Sequence, residues 1–335
     1  LAVRLRNLIE LIAGAARPAV SSAAANLRKL CTLLVEERRP LSAVRRAQSL
    51  SMSQQGQGQG QQTQQEQDND AAAGAAASME PPPPKIIAPP STINKLLDIS
   101  PIEAARQLTL MRHAVFAAIR PREFCNLAWT RKDAARRAPN ILKFIKDFNN
   151  MGSLVTCTVL SQSEARARQK YLKYFLAIAH ECRELRNYST MMEITAALTA
   201  APLARLARSW TPKLREELAQ FEQLSQKNFH DLRSLTANAA PPCVPYLCVC
   251  FADLVFIEEG NPNYLRDSPE LINWEKAKMF FAIIAEVQRF QGHPYTLQPC
   301  PPVSAWLSSI LAASNMSDTQ AYQMSLSLEP RETKN

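Results

Sequence analysis

A chain of 335 residues, 46% hydrophobic and 21% charged, can bury a substantial core in two domains or in one large domain with appendages. It holds only eight glycines, three of them in one Gln-Gly run, and contains neither G-x-G-x-x-G nor G-x-x-x-x-G-K-[ST]. That excludes the common nucleotide-binding loops and argues against a turn-rich all-β fold. The net charge of +9 is uneven: residues 1–50 carry nine Lys/Arg against three Glu, leaving +3 on the remainder, so the body lacks the basic face that a nucleic-acid partner requires.

In chain order, residues 1–48 read as two helices. Leu5, Leu8, Ile9 and Ile12 share one face, and Leu27, Leu30, Cys31 and Leu34 share the next, with Pro18 between them. Two helices cannot cover both faces by themselves, so the segment needs a partner. The chain opens without Met and inside a helical pattern, which reads as a fragment of a longer protein. Residues 51–90, beginning SMSQQGQGQGQQTQQEQDND and including PPPP at 81–84, read as a disordered, semi-rigid linker.

From Ser91 the pattern turns to amphipathic helices in one all-α domain. Ser100, Pro101 and Glu103 form a helix-start signature. The face that follows is Ile102, Ala105, Leu108, Leu110/Met111, Val115, Phe116 and Ile119. Further helices are expected near 139–151, 163–185, 189–200, 211–233, 246–259, 271–291, 302–312 and 317–328, with LVTCTVL at 154–160 also read as helix. The helix at 246–259 ends in Glu258-Glu259-Gly260, which places two carboxylates at the negative end of the helix dipole. Gly260 is expected as a left-handed C-cap.

Catalytic signatures do not occur. The four histidines show no metal-ligand spacing, and there is no G-x-S-x-G elbow. The eight cysteines form no C-x-x-C pair; even Cys243, Cys248 and Cys250 lack a second ligand pair, so all read as free thiols in a reducing cytosol. No run approaches 18 apolar residues and no signal peptide opens the chain.

Three blocks carry a family resemblance. DISPIEAARQLTLMRHAVFAAIRPREFCNLAWTRKD, RELRNYSTMMEITAALTAAPLARLARSW and ANAAPPCVPYLCVCFADLVFIEEGNPNYLRDSPELINWEKAKMFFAIIAEVQRFQGHPYTL occur in the order of a Ras guanine nucleotide exchange factor catalytic domain, which residues 91–330 resemble. PPCVP, EEGNP, LIN and the ending SLSLEPRE look most like the Son of sevenless branch. Residues 1–50 are similar to the last helices of a truncated Ras exchanger motif.

The resemblance implies an all-α body with a protruding helical hairpin that opens the switch region of a small GTPase and disturbs its phosphate and Mg²⁺ site. It implies accelerated nucleotide release without covalent chemistry, no cofactor and no metal of its own. The wedge residues so implied are Val255 and Glu259, and Ile272, Met279, Phe280, Ile283, Ile284, Val287 and Phe290 face inward from the return helix. Ile145, Met192, Ala204 and Tyr246 match an apolar pocket for an aromatic anchor of the GTPase. Lys146 and Thr199 match polar contacts, and Phe256, Glu258 and Asn261 complete the GTPase-binding set. The implied partner is a Ras-family GTPase, nucleotide-free or GDP-bound, with a second allosteric GTPase at the junction with residues 1–48. The implied location is cytoplasmic, with recruitment to the inner face of the plasma membrane through other domains. Two alternatives stay open: an exchanger for a Rap- or Ral-like GTPase, or a helical scaffold that binds a GTPase without exchange. Val255, Ala204 and Cys248 depart from the family's usual larger, aromatic and glycine residues, and these departures favour the scaffold.

Overall fold

A computed structural model describes residues 84–331. The expected helices at 1–48 and the linker as far as residue 83 lie outside the described residues. Among the described residues there is no β-strand, only isolated bridges joining Asn187 to Val244 and Tyr264 to Ile272. No described helix is long and apolar enough to cross a membrane.

The first long helix, α1 (Pro101–Ala117), starts where Ser100 and Pro101 predict. Its buried face is Ala104, Ala105, Leu108 and Phe116, together with Gln107, Arg112 and His113, while Ile102 is exposed. The expected face is the covered one at Ala105, Leu108, Phe116 and Ile119, with Met111 and Val115 packed beside it, and polar side chains that find partners across the fold share it. Glu103 accepts from Gln107 Nε2 at 2.7 Å and from the Ile87 amide at 3.0 Å. Gln107 in turn donates to the Gln298 carbonyl and accepts from the Cys300 amide, each at 2.9 Å. Buried polar groups are tolerated when paired in this way.

After a short helix, α2 (Pro121–Phe124), a 3₁₀ turn (Cys125–Thr130) and α3 (Ala134–Arg137), the chain enters α4 (Pro139–Leu160). Residues 154–160 continue this helix, so Val155 and Val159 fill the core without forming a strand. Then follow α5 (Ala165–Glu184) and α6 (Tyr188–Thr199). Asn187 caps α6 by accepting from the Thr190 amide at 3.1 Å and donates across to Thr109 Oγ1 at 3.0 Å. Ten of the twelve residues of α6 are buried, because it packs against α1, α4 and α5 together.

The helix expected at 211–233 is two: α8 (Pro212–Gln223) and α9 (Gln226–Ala237), after the short α7 (Ala201–Ala204). Lys227, Asn228 and Phe229 take φ of 48°, 55° and 58°, a left-handed turn that a helical period does not reveal. The turn delivers Phe229 to the Tyr246 ring, with centroids 5.6 Å apart. The hairpin follows as α10 (Leu247–Gly260) and α11 (Trp274–Gln291), then α12 (Pro301–Ala313) and α13 (Asp318–Leu328). The C-cap of α13 is fastened to the body: Glu329 accepts from Arg168 at 3.0 Å, from Ser209 Oγ at 3.2 Å and from the Arg208 amide at 3.1 Å.

His113, on α1, lies edge-on to Tyr295 at 5.4 Å, with a buried Nε2 that has no partner. Burial lowers its pKa, opposed by hydrogen bonding to the backbone of Phe290 and His293. The unfolded chain therefore takes up this proton more readily than the folded one. The stability linked to neutral His113 is complete above the ordinary value of 6.5 and declines as pH falls through it toward the lowered folded value. Urea midpoints are expected to be lower near pH 5.5 than near pH 7.5, and His113→Gln should shrink that difference.

Candidate functional site

The hairpin stands on aromatic footings. Phe251 on α10 lies 5.1 Å from Trp129 and 6.2 Å from Phe124, and Tyr246 at the helix start lies 6.0 Å from Phe148. Phe251, Leu254 and Val255 join the main core. On α11, Ile284, Val287 and Phe290 are buried, and Met279, Phe280 and Ile283 are half-buried, as expected. Ile272 is not: it is 67% exposed and precedes the helix, which starts at Trp274 because Asn273 caps it by accepting from the Lys276 amide.

The tip explains its paired carboxylates. Lys276, only 8% exposed, reaches back across the hairpin to Glu258 at 2.9 Å. Its ammonium also donates to Asn263 Oδ1 at 2.6 Å and to the Glu258 carbonyl at 3.4 Å. A cation at the carbonyl end of α10 favours the helix dipole. Glu258 is thereby a structural partner within the hairpin, and Glu259 beside it is exposed. Gly260 closes the helix without a left-handed φ; the cap is Asn261 in extended backbone, whose Nδ2 donates to the Ile257 carbonyl at 3.0 Å. A side-chain amide meets the need that the glycine was expected to meet.

Of the residues expected to form the wedge, Val255 is covered, at 7% exposure, one turn before Glu259. Its neighbour Phe256 is 52% exposed, an aromatic on a helix whose other large apolar side chains are covered. The second expected cluster is only partly open. Met192 and Tyr246 are buried, Ile145, Thr199 and Ala204 are half-buried, and Lys146 is exposed. Phe148 links Ile145's stretch of α4 to Tyr246, whereas Thr199 and Ala204 sit at the far end of α6 and on α7. Thr199 turns its hydroxyl back to the Ala196 carbonyl, and the Ala204 carbonyl accepts from Arg215. Beside them, a recess between α4, α6 and α13 is lined by Phe148, Asn149, Ala197, Pro202 and Met316. Cys248 is buried, and burial pushes its thiol up to about 12, so it is held protonated at neutral pH. Among the described residues, no group of three His, Cys, Asp or Glu is placed to hold a metal.

Periodicity had not marked Lys276, Arg233 or Asp253, each of which braces the hairpin through a partner distant in sequence. Only Asp253, a lone carboxylate in the apolar run VCFADLVFI, carries a signal in the sequence.

The helical body thus carries a two-helix hairpin packed at its base, with an exposed aromatic and an exposed carboxylate near the end of its first helix. Residues 103–278, more than half the chain, match the RasGEF domain, and the chain belongs to that family. It is 35% identical over 238 residues to Ras-specific guanine nucleotide-releasing factor 2 of Danio rerio, a match covering 70% of this chain and 19% of that protein. It is likewise 35% identical over 237 residues to Ras-specific guanine nucleotide-releasing factor 1 of Rattus norvegicus, covering 69% and 19%. With Ras guanine nucleotide exchange factor J of Dictyostelium discoideum it shares 34% identity over 257 residues, 74% of this chain and 31% of that protein. The chain thus spans under a third of the length of these relatives.

Proposed function

We propose that this chain accelerates release of GDP from a Ras-family GTPase, with the α10–α11 hairpin as the element that opens the nucleotide site. The observation that carries this reading is the end of α10. Phe256 and Glu259 are exposed near the end of a helix whose base is fixed by aromatic packing. Family membership and the activities that the relatives' names state point the same way.

In this mechanism the hairpin displaces the segment that caps the nucleotide. Phe256, with Val255 behind it, presents hydrocarbon toward the GTPase's Mg²⁺, which gives the ion no ligand. Glu259, on the same face as Val255 at i+4, competes for the donors of the phosphate-binding loop. Ile145, Met192, Ala204 and Tyr246 form the anchor, with Lys146, Thr199 and Asn261 as polar contacts; Met192 and Tyr246 become accessible only as the body adjusts to the partner. A nucleotide held at about picomolar affinity is bound by about −16 kcal/mol. Raising its release 10⁴–10⁵-fold requires about 5.5–7 kcal/mol of barrier lowering, within reach of a standard-sized interface.

The narrower readings rest on sequence motifs alone. These are the Son of sevenless branch, the division into 1–50, 51–90 and 91–330, a second allosteric GTPase and recruitment to the plasma membrane. The covered state of Val255 and the small side chain of Ala204 favour the second reading, a scaffold that binds without exchange. Release of a fluorescent GDP analogue from Ras, Rap and Ral, each mixed with the full chain, separates them. Acceleration with Ras supports the proposal. Acceleration with Rap or Ral alone moves the partner, and binding without acceleration from any of the three leaves the scaffold.

A further inference from the structure

The geometry points to Arg233 as a positioning residue that sets the angle of the hairpin through Asp253. This rests on the exchange reading above, and it concerns how that surface is aimed.

The footings of α10 are apolar rings near its first turns. Such contacts are non-directional, so by themselves they leave the outer half of a protruding hairpin free to rock. Directional contact comes from α9. Arg233 Nη1 donates to Asp253 Oδ2 at 2.6 Å and Nη2 donates to Oδ1 at 2.9 Å, a bidentate fork. The third guanidinium nitrogen, Nε, donates to the Asn228 carbonyl at 3.1 Å, inside the left-handed turn that starts α9. All three nitrogens of the guanidinium are therefore engaged, and its plane is fixed against both helices. A bidentate Arg–carboxylate pair adds orientation as well as attraction.

A second arginine closes the frame from the other side. Arg289 on α11 donates to the carbonyls of Thr236 and Ala237, each at 3.3 Å, at the end of α9 where the dipole favours a cation. The strut α9 is thus tied to both arms of the hairpin, once by its own arginine and once by the hairpin's. Asp253 precedes Phe256 by three residues and Glu259 by six, so the rotation of α10 that Arg233 fixes is the rotation that aims those two side chains. Both members of the pair are about one-third exposed, at 34% and 35%. Partly exposed pairs contribute little to global stability, which separates an aiming role from a folding one.

The test uses the full chain and the GTPase whose GDP release it accelerates, with rates measured against exchanger concentration. Arg233→Ala and Asp253→Ala are each expected to lower kcat roughly tenfold, since small misplacements of a working group cost rate steeply, while KM stays within about twofold. Arg233→Lys keeps the charge but not the fork, and should restore only part of kcat. Melting temperatures should barely move. An unchanged kcat in both alanine variants, with Glu259→Ala impaired, overturns the proposal and leaves the exchange reading standing. A wild-type chain that accelerates nothing sinks the exchange reading instead, and amide hydrogen exchange then decides the positioning. Arg233→Ala is expected to speed exchange several-fold in 253–260 and leave 139–160 unchanged; equal protection in 253–260 overturns it.

Discussion

Replacing Glu193 by alanine is expected to destabilise the domain by about 3–5 kcal/mol, because it strands a buried guanidinium. Glu193 on α6 is 1% exposed and accepts from Arg112 Nη2 at 2.6 Å and from Ser189 Oγ at 2.8 Å. Arg112 also donates to the Phe144 carbonyl and lies 5.0 Å above the Phe144 ring. One pair therefore joins α1, α4 and α6 at the centre of the fold. Burial pushes the Glu193 carboxyl up, and the Arg112 guanidinium and Ser189 hydroxyl pull it back. At this domain size the loss corresponds to roughly 10 °C in melting temperature, readable by calorimetry. Removing both charges, as Arg112→Met with Glu193→Leu, should recover most of it, since an apolar pair avoids the desolvation that each ion meets. A single variant as stable as the wild type would show that water reaches the pair.

Glu259→Ala is expected to reduce accelerated GDP release roughly 10- to 100-fold, about 1.4–2.7 kcal/mol of barrier, with the melting temperature unchanged. The side chain is exposed near the end of α10, so its removal leaves the packing intact. Glu258→Ala makes the informative comparison. It frees Lys276, 8% exposed, inside the hairpin, so its effect should appear first as lost stability of residues 258–276 and only through that as lost rate. Equal rates for wild type and Glu259→Ala, measured at saturating exchanger, would remove this carboxylate from the mechanism.

The helical body was legible because its signals are local. Pro139 opens α4, and Ile141, Phe144, Phe148, Met151 and Val155 recur at helical spacing along it. The hairpin was legible for another reason: its residues register with a family pattern, whereas composition alone gives no reason to choose Glu259 over Glu258. What escaped was whatever depends on a partner elsewhere. Gln107 and Arg112 are buried on the covered side of α1 because they bond across the fold, and Arg112 lies 81 residues from Glu193. The break before α9 serves the contact between Phe229 and Tyr246. Gly260 was assigned a cap that Asn261 supplies, since a side-chain amide and a left-handed glycine satisfy the same carbonyls. Hydrophobic period reports which face of a helix is covered, and it is silent about which polar group on that face has a mate.

The fastening of Glu329 has a bearing on how the chain is made. Arg168 is 2% exposed, and its carboxylate partner lies 161 residues further along. During synthesis α5 leaves the ribosome long before that partner exists, and closing a contact of such separation is entropically slow. Until it arrives, the cation is held by the Gln162 and Ser163 carbonyls and the Ser209 hydroxyl alone. A growing body whose buried guanidinium still lacks its counter-ion keeps apolar surface open, and that is where a chaperone has most to cover.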